Sequence, residues 1–167
     1  MDQAAFRSFY LKTAPTLRAY IARSVGSLHA ADDVLQDAFM RFLAKAPPTL
    51  SEAEMRGYLY RTAETLIVDR WRQRRRERER DEAAAELREE TVEPHFGGDV
   101  DRAFRGLHPR QRSLLWMAYV EELDHREIAA ATGVGERSVR VLLSRAREAF
   151  AGILNRLDLR PEAADAK

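Results

Sequence analysis

The chain has no cysteine among its 167 residues, which excludes disulfides, thiol catalysis and cysteine-ligated metal and fits a reducing compartment. Glycine and proline are sparse, at 8 and 6, while Ala, Leu, Arg and Glu abound, a balance that favours helix over sheet. Long apolar runs are also missing: the longest, Leu114 to Val120, is far too short to cross a bilayer. The opening MDQAAFRSFYLKTAP lacks the basic start and apolar core of an export signal, so a cytoplasmic protein without direct membrane insertion is expected. His29, His95, His108 and His125 are scattered without metal-ligand spacing. No metal site is therefore predicted and an enzyme reading is poor; the histidines read as surface or capping residues.

An excess of one charge sign is lacking as well, since the net charge is only +1. The distribution is uneven. Residues 1–80 hold 15 Lys/Arg against 10 Asp/Glu, residues 81–100 hold 1 against 7, and residues 101–167 hold 12 against 10. Two mildly basic modules around an acidic connector follow from this, and a chain 45% hydrophobic can supply each with a small core. We place the modules at residues 1–78 and 101–157, with a flexible acidic linker at 79–100 and a polar tail at 158–167. The predicted fold class is all-α, two small helical domains.

Within the first module, Asp2 to Leu11 and Pro15 to Ser24 read as two short amphipathic helices, Pro15 opening the second. A stronger helix runs from about Ala30 to Lys45. Leu35, Ala38, Phe39 and Phe42 form its apolar face, leaving Asp33, Gln36, Asp37, Met40 and Arg41 outward. A polar face with an embedded methionine suits protein docking, whereas acidic residues at a helix start also serve the helix dipole alone. After Pro47–Pro48, Ser51 and Glu54 stand in capping-box spacing.

The stretch Tyr58 to Arg76, YLYRTAETLIVDRWRQRRR, reads as one helix. Leu59, Ala63, Leu66 and Arg70 recur on the side to be packed, and Arg61, Thr65, Val68 and Arg72 fall opposite. Aromatic rings beside a cationic face can hold a nucleic-acid backbone while stacking unpaired bases; a solvated, arginine-rich helix end is the plainer alternative.

The second module carries a helix-turn-helix pattern: a short helix from Asp124 to about Ala131, a turn through Thr132–Gly133–Val134–Gly135, and a long helix from Glu136 to about Ile153. Leu114, Leu115, Met117, Ala118 and Val120 supply an earlier apolar stripe. Ile128 and Ala129 pack inward, and Val139, Leu143, Ala146 and Phe150 form the buried stripe of the long helix. Arg137, Arg140, Val141, Ser144 and Arg145 then lie on its outside or margins, a recognition face for a major groove. A generic helical hairpin and a conventional helix-turn-helix regulator share this pattern, but the chain offers no obvious dimerisation stripe or effector pocket. A helical adaptor would explain the 31–43 face and not the arginine run.

Three segments, in order, carry a family resemblance. ADDVLQDAFMRFL (31–43), MRGYLYRTAETLIVDRWRQRRR (55–76) and LHPRQRSLLWMAYVEELDHREIAAATGVGERSVRVLLSRAREAF (107–150) are similar to regions 2 and 4 of extracytoplasmic-function (ECF) RNA polymerase sigma factors, and the likeness covers about residues 5–155. It implies a region 2 helical bundle and a region 4 helix-turn-helix, with no catalytic residue, cofactor or small-molecule substrate, because the polymerase does the chemistry. It assigns Asp33, Gln36, Asp37, Met40 and Arg41 to core polymerase, whose β′ clamp helices and β flap would be the docking sites. Tyr58, Tyr60, Arg61, Thr65, Arg72, Arg75 and Arg76, with the loop from Pro48 to Met55, would hold the melted minus-10 element of promoter DNA. Arg137, Ser138, Arg140, Val141, Ser144 and Arg145 would read the minus-35 element. An anti-sigma partner, sequestering the factor at the membrane in some cases, is a further implication. The chain departs from the family pattern at Thr65, where Asn is usual, at Glu64, often basic, and at Val141 and Leu142, usually polar or basic.

Overall fold

Asp2 starts the first helix: its carboxylate accepts the Ala5 N–H at 2.7 Å, and helix α1 then runs unbroken over Gln3–Val25. The computed structural model describes residues 2–84 and 98–159, with side chains in 2–80 and 98–159. The expected break at Pro15 is not there. An interior proline forfeits one helical hydrogen bond and costs about 3 kcal/mol. Thr13, Ala14 and Leu17 around it are buried, so tertiary packing outweighs the local penalty. Gly26, at φ 75°, closes the helix by donating its N–H to the Ala22 carbonyl at 2.8 Å.

Helix α2 spans Leu28–Lys45 behind Ser27, whose hydroxyl accepts the Ala30 N–H, and it ends just before Pro47–Pro48. Helix α3 spans Glu52–Ala84. Its start is fixed reciprocally: Ser51 Oγ accepts the Glu54 N–H at 3.3 Å, and Glu54 Oε2 accepts the Ser51 N–H at 2.8 Å. The three helices close a core of Leu17, Tyr20 and Ile21 from α1, Val34, Ala38, Phe39 and Phe42 from α2, and Leu59, Tyr60, Ala63 and Ile67 from α3. Aromatic rings join them, with Phe9 stacked on Phe42 at 5.6 Å and Tyr20 edge-on to Tyr60 at 5.1 Å.

Past Ile67 the apolar stripe ends, yet α3 continues through the sequence-derived boundary at residue 78. One-turn pairs line these exposed turns, Gln73 to Glu77 at 2.9 Å and Arg75 to Glu79 at 2.8 Å, each worth about 0.2–0.5 kcal/mol. The chain divides into two units, Met1–Phe96 and Gly97–Lys167. Linker residues 85–97 and tail residues 160–167 lie outside the described residues.

The second unit comprises α4 (Asp99–Arg105), α5 (Pro109–Tyr119), α6 (His125–Thr132) and α7 (Glu136–Arg156). His108 and Gln111 cap α5 with Pro109 in its first turn; Asp124 and Glu127 form the equivalent box on α6. Gly133, at φ 70°, ends α6 and turns the chain into α7. Leu114, Met117, Ile128, Ala131, Val139, Leu143 and Ala146 make the core. Three expectations are corrected. Val120 follows α5 and is exposed, Phe150 is only half-buried, and Ala131 rather than Ala129 is the fully buried alanine of α6. Arg112 is 0% exposed, with Nη1 directed at the Arg105 carbonyl at 3.4 Å, a buried cation that helical periodicity did not announce.

Candidate nucleic-acid interface

On α2 the residues facing the core leave a continuous outer line. Asp33, Gln36, Asp37, Met40 and Arg41 are all exposed, Met40 at 61%. The two adjacent aspartates have separate tasks. Asp32 takes a two-pronged ion pair from Arg18 of α1, with Nη2 to Oδ2 at 2.9 Å, and this hydrogen bond holds its carboxyl below the usual carboxylate range while raising Arg18. Asp33 instead faces α3, its Oδ2 lying 3.8 Å from Arg70 Nη1. Sequence periodicity placed Arg70 on the packed side of α3; the structure finds it half-buried there, tying the two helices together.

The opposite side of α3 is cationic. Arg61, Thr65, Arg72, Arg75 and Arg76 are exposed; at about 100° per residue all but Arg75 share one face with Tyr58. Tyr58 is half-buried, its ring edge-on to Phe42 at 5.8 Å, so part of it remains available at that face. Thr65 Oγ1 donates to the Arg61 carbonyl at 3.0 Å, which fixes the hydroxyl and leaves its lone pairs outward as acceptors. Arg72 is within 3.9 Å of Asp69, and Arg76 Nε donates to the Arg72 carbonyl at 3.3 Å.

Tyr60 must be corrected. It is 1% exposed and packed on Tyr20, so it has no ring face to offer a base. Glu64, which stands where a basic residue was expected from the family pattern, is turned inward at 9% exposure and takes no place on the cationic face. The expected loop from Pro48 to Met55 is shorter than read, because α3 begins at Glu52.

In the second unit α7 presents Arg137, Ser138, Arg140, Val141 and Arg145 to solvent, with Ser144 half-buried and its hydroxyl donating to Glu148 Oε1 at 3.2 Å. An open cleft of about 780 Å³ lies at the amino end of α7, lined by His125, Gly135, Glu136, Arg137 and Arg140. His125 was read from sequence as a surface or capping residue. It lines this cleft together with two arginines of α7, a grouping that no spacing along the chain expresses. Among the described residues no group of three or more His, Asp or Glu is arranged to hold a metal, and no helix is long and apolar enough to cross a membrane.

Comparison with known proteins fits one family description to each unit: Sigma-70 region 2 over residues 9–77 and Sigma-70, region 4 over residues 98–150. A region 2 unit followed by a region 4 unit defines a transcription initiation factor of the sigma type, a class without enzymatic chemistry of its own. The ECF RNA polymerase sigma factor SigF of Caulobacter vibrioides (strain NA1000 / CB15N) is 27% identical over 160 residues, covering 94% of this chain and 89% of that protein. RNA polymerase sigma factor CarQ of Myxococcus xanthus is 24% identical over 162 residues, covering 94% and 93%. The chain belongs to the extracytoplasmic-function group of the sigma-70 family and is an alternative sigma factor directing transcription.

In fold it is similar to the sigma factor RpoE of Bartonella quintana, solved in complex with the anti-sigma factor NepR. The TM-score is 0.57 at 21% identity, over 90% of this chain and 97% of that one. The anti-anti-sigma factor PhyR of the same organism, also solved with NepR, gives a TM-score of 0.55 at 15% identity, over 88% of this chain and 49% of that one.

Proposed function

We propose that this sigma factor docks on core RNA polymerase through the outer line of α2, opens the minus-10 element with the cationic face of α3, and reads the minus-35 element with α7. The observation that carries the reading is in the first unit. Helix α2 turns Asp33, Gln36, Asp37, Met40 and Arg41 to solvent, while the adjacent α3 turns Arg61, Thr65, Arg72 and Arg76 to solvent beside Tyr58. One side of a three-helix core can thus meet a protein while another meets DNA.

The physical role of α3 is to make a separated strand affordable. Arginines neutralise its phosphates, and a base drawn out of the stack costs a few kcal/mol that aromatic and apolar contacts recover in part. Tyr58, at the edge of that face, is the ring left for this after Tyr60 is assigned to the core. Arg75, in its pair with Glu79, contributes charge further along the helix. In α7, Arg137, Arg140 and Arg145 supply contacts to phosphates or guanine edges, with Ser138, Val141 and Ser144 between them. Polymerase performs the chemistry of transcription; this chain supplies specificity and strand separation. The acidic linker at 79–100 is assigned to the RNA exit channel.

The B. quintana RpoE was solved with an anti-sigma factor, and we extend a partner of that kind to this chain. Exposed Leu11, Leu28, Met40 and Leu43 of the first unit give it apolar surface to cover. We assign the protein to the cytoplasm, where polymerase and promoter DNA are.

The test is co-purification with core polymerase, wild type against Asp33→Ala/Asp37→Ala/Arg41→Ala, followed by run-off transcription on a promoter library. Retention of the wild type, loss of the triple variant and new specific transcripts are expected. Tight duplex binding by the chain alone, with no polymerase retained, would replace this reading with a conventional regulator.

A further inference from the structure

We infer that Val141 is a specificity residue that reads the 5-methyl group of a thymine in the upstream promoter element. The inference rests on the reading of α7 as the recognition helix. A lone exposed valine needs no function in general; here its position assigns one. The buried stripe Val139, Leu143 and Ala146 fixes the rotation of α7, and Val141 lies about 180° away from it at about 100° per residue. It is therefore on the outermost ridge, the line that enters a groove most deeply, and it is 51% exposed.

Its neighbours define what this ridge meets. Arg137 lies one turn before it and Arg145 one turn after, a separation along the axis of roughly 12 Å, close to the width of the major groove. Glu148 follows on the same side and would repel a backbone, so the DNA-facing length ends before it. Arginines that seat on phosphate or guanine at either end leave Val141 over the base edges between them. Among the exposed residues from Glu136 to Glu148 it is the only apolar one.

The side chain then selects the ligand by exclusion. Valine has no donor or acceptor, and the thymine methyl is the one apolar group that a standard base pair presents in the major groove. Beta-branching holds the valine methyls near one rotamer in a helix, so little freedom is lost on contact. At 51% exposure the position lies outside the core, and arginine or lysine would be the better helix former.

The experiment uses the full chain assembled with core polymerase. A duplex whose upstream element has been selected from a randomised library is compared with copies in which single thymidines are replaced by deoxyuridine, which removes only the methyl. One thymine is expected to lose about fourfold in binding on this change, the size of burying one methyl-sized group. Val141→Ser, at an exposed site that leaves the fold intact, should bind the thymine and deoxyuridine duplexes alike. A selected element in which no thymine matters, or a Val141→Ser factor that keeps the full deoxyuridine penalty, would overturn the inference. Arg140→Ala and Arg145→Ala separate this from failure of the parent reading: if neither weakens binding, α7 is not the recognition helix at all.

Discussion

Tyr60→Ala should act on stability and not selectively on promoter opening. The ring is 1% exposed and meets Tyr20 edge-on at 5.1 Å between centroids, at the point where α3 crosses α1. Truncating a buried large aromatic costs about 3–5 kcal/mol, and loss of a ring pair of this geometry accounts for about 0.5–1.5 kcal/mol beyond area alone. In a unit of this size each kcal/mol shifts the melting temperature by about 4–8 °C, so a drop of at least about 12 °C is expected. Scanning calorimetry of the full chain is the assay, since the second unit serves as an internal reference while the first is perturbed. Tyr60→Phe keeps the ring and should stay within about 1 kcal/mol of wild type. Tyr58→Ala, at a half-buried site, should cost less than Tyr60→Ala yet impair open-complex formation more at a temperature where both are folded. A Tyr60→Ala protein that melts at the wild-type temperature and fails only in promoter opening would refute the placement of this ring in the core.

Four further outcomes follow from named contacts. Gly133→Ala forces a β-carbon into φ 70° and should destabilise the second unit by about 1–2 kcal/mol in urea titration, even though open space surrounds the site. Asp32 has its folded carboxyl below its unfolded value, so its contribution is full above the ordinary carboxylate range and lost as pH falls through the depressed value. Because that pair with Arg18 is exposed, Asp32→Asn should cost little near neutrality, nothing in acid, and nothing in 1 M salt by thermal melts. Arg72→Ala should flatten the dependence of log binding constant on log salt by about 0.7–0.9, whereas an uncharged substitution away from the face leaves the slope unchanged. Asp33→Asn should weaken polymerase retention while Arg70→Gln, which releases Asp33 from its 3.8 Å partner, should not; equal losses would mean that Asp33 acts only through the ion pair.

How far the sequence could be read depended on whether a residue's place is set by spacing along the chain or by contacts between helices. Helix α7 shows the favourable case: its buried residues Val139, Leu143 and Ala146 form one narrow stripe, and the wheel alone placed Arg137, Arg140, Val141 and Arg145 outside it. Local signals of comparable range, the Ser51–Glu54 box and the Gly133 turn, were equally legible because their partners are three or four residues away. Helix α2 likewise showed its Asp33–Arg41 line as the complement of a single apolar face.

Helix α3 packs against both α1 and α2, so its buried residues Leu59, Tyr60, Ala63, Glu64, Leu66 and Ile67 cover about half the circumference. No wheel placed Tyr60 or Glu64: the resemblance gave Tyr60 to the melted strand, and packing across the core, which spacing along the chain does not express, buries both. The same limit hid the continuity of α1 through Pro15, whose cost is met by Thr13, Ala14 and Leu17 against elements distant in sequence. Misreading therefore concentrated where contacts between helices set burial, and the cationic face of α3 stayed legible because its residues lie on the half that neither α1 nor α2 covers.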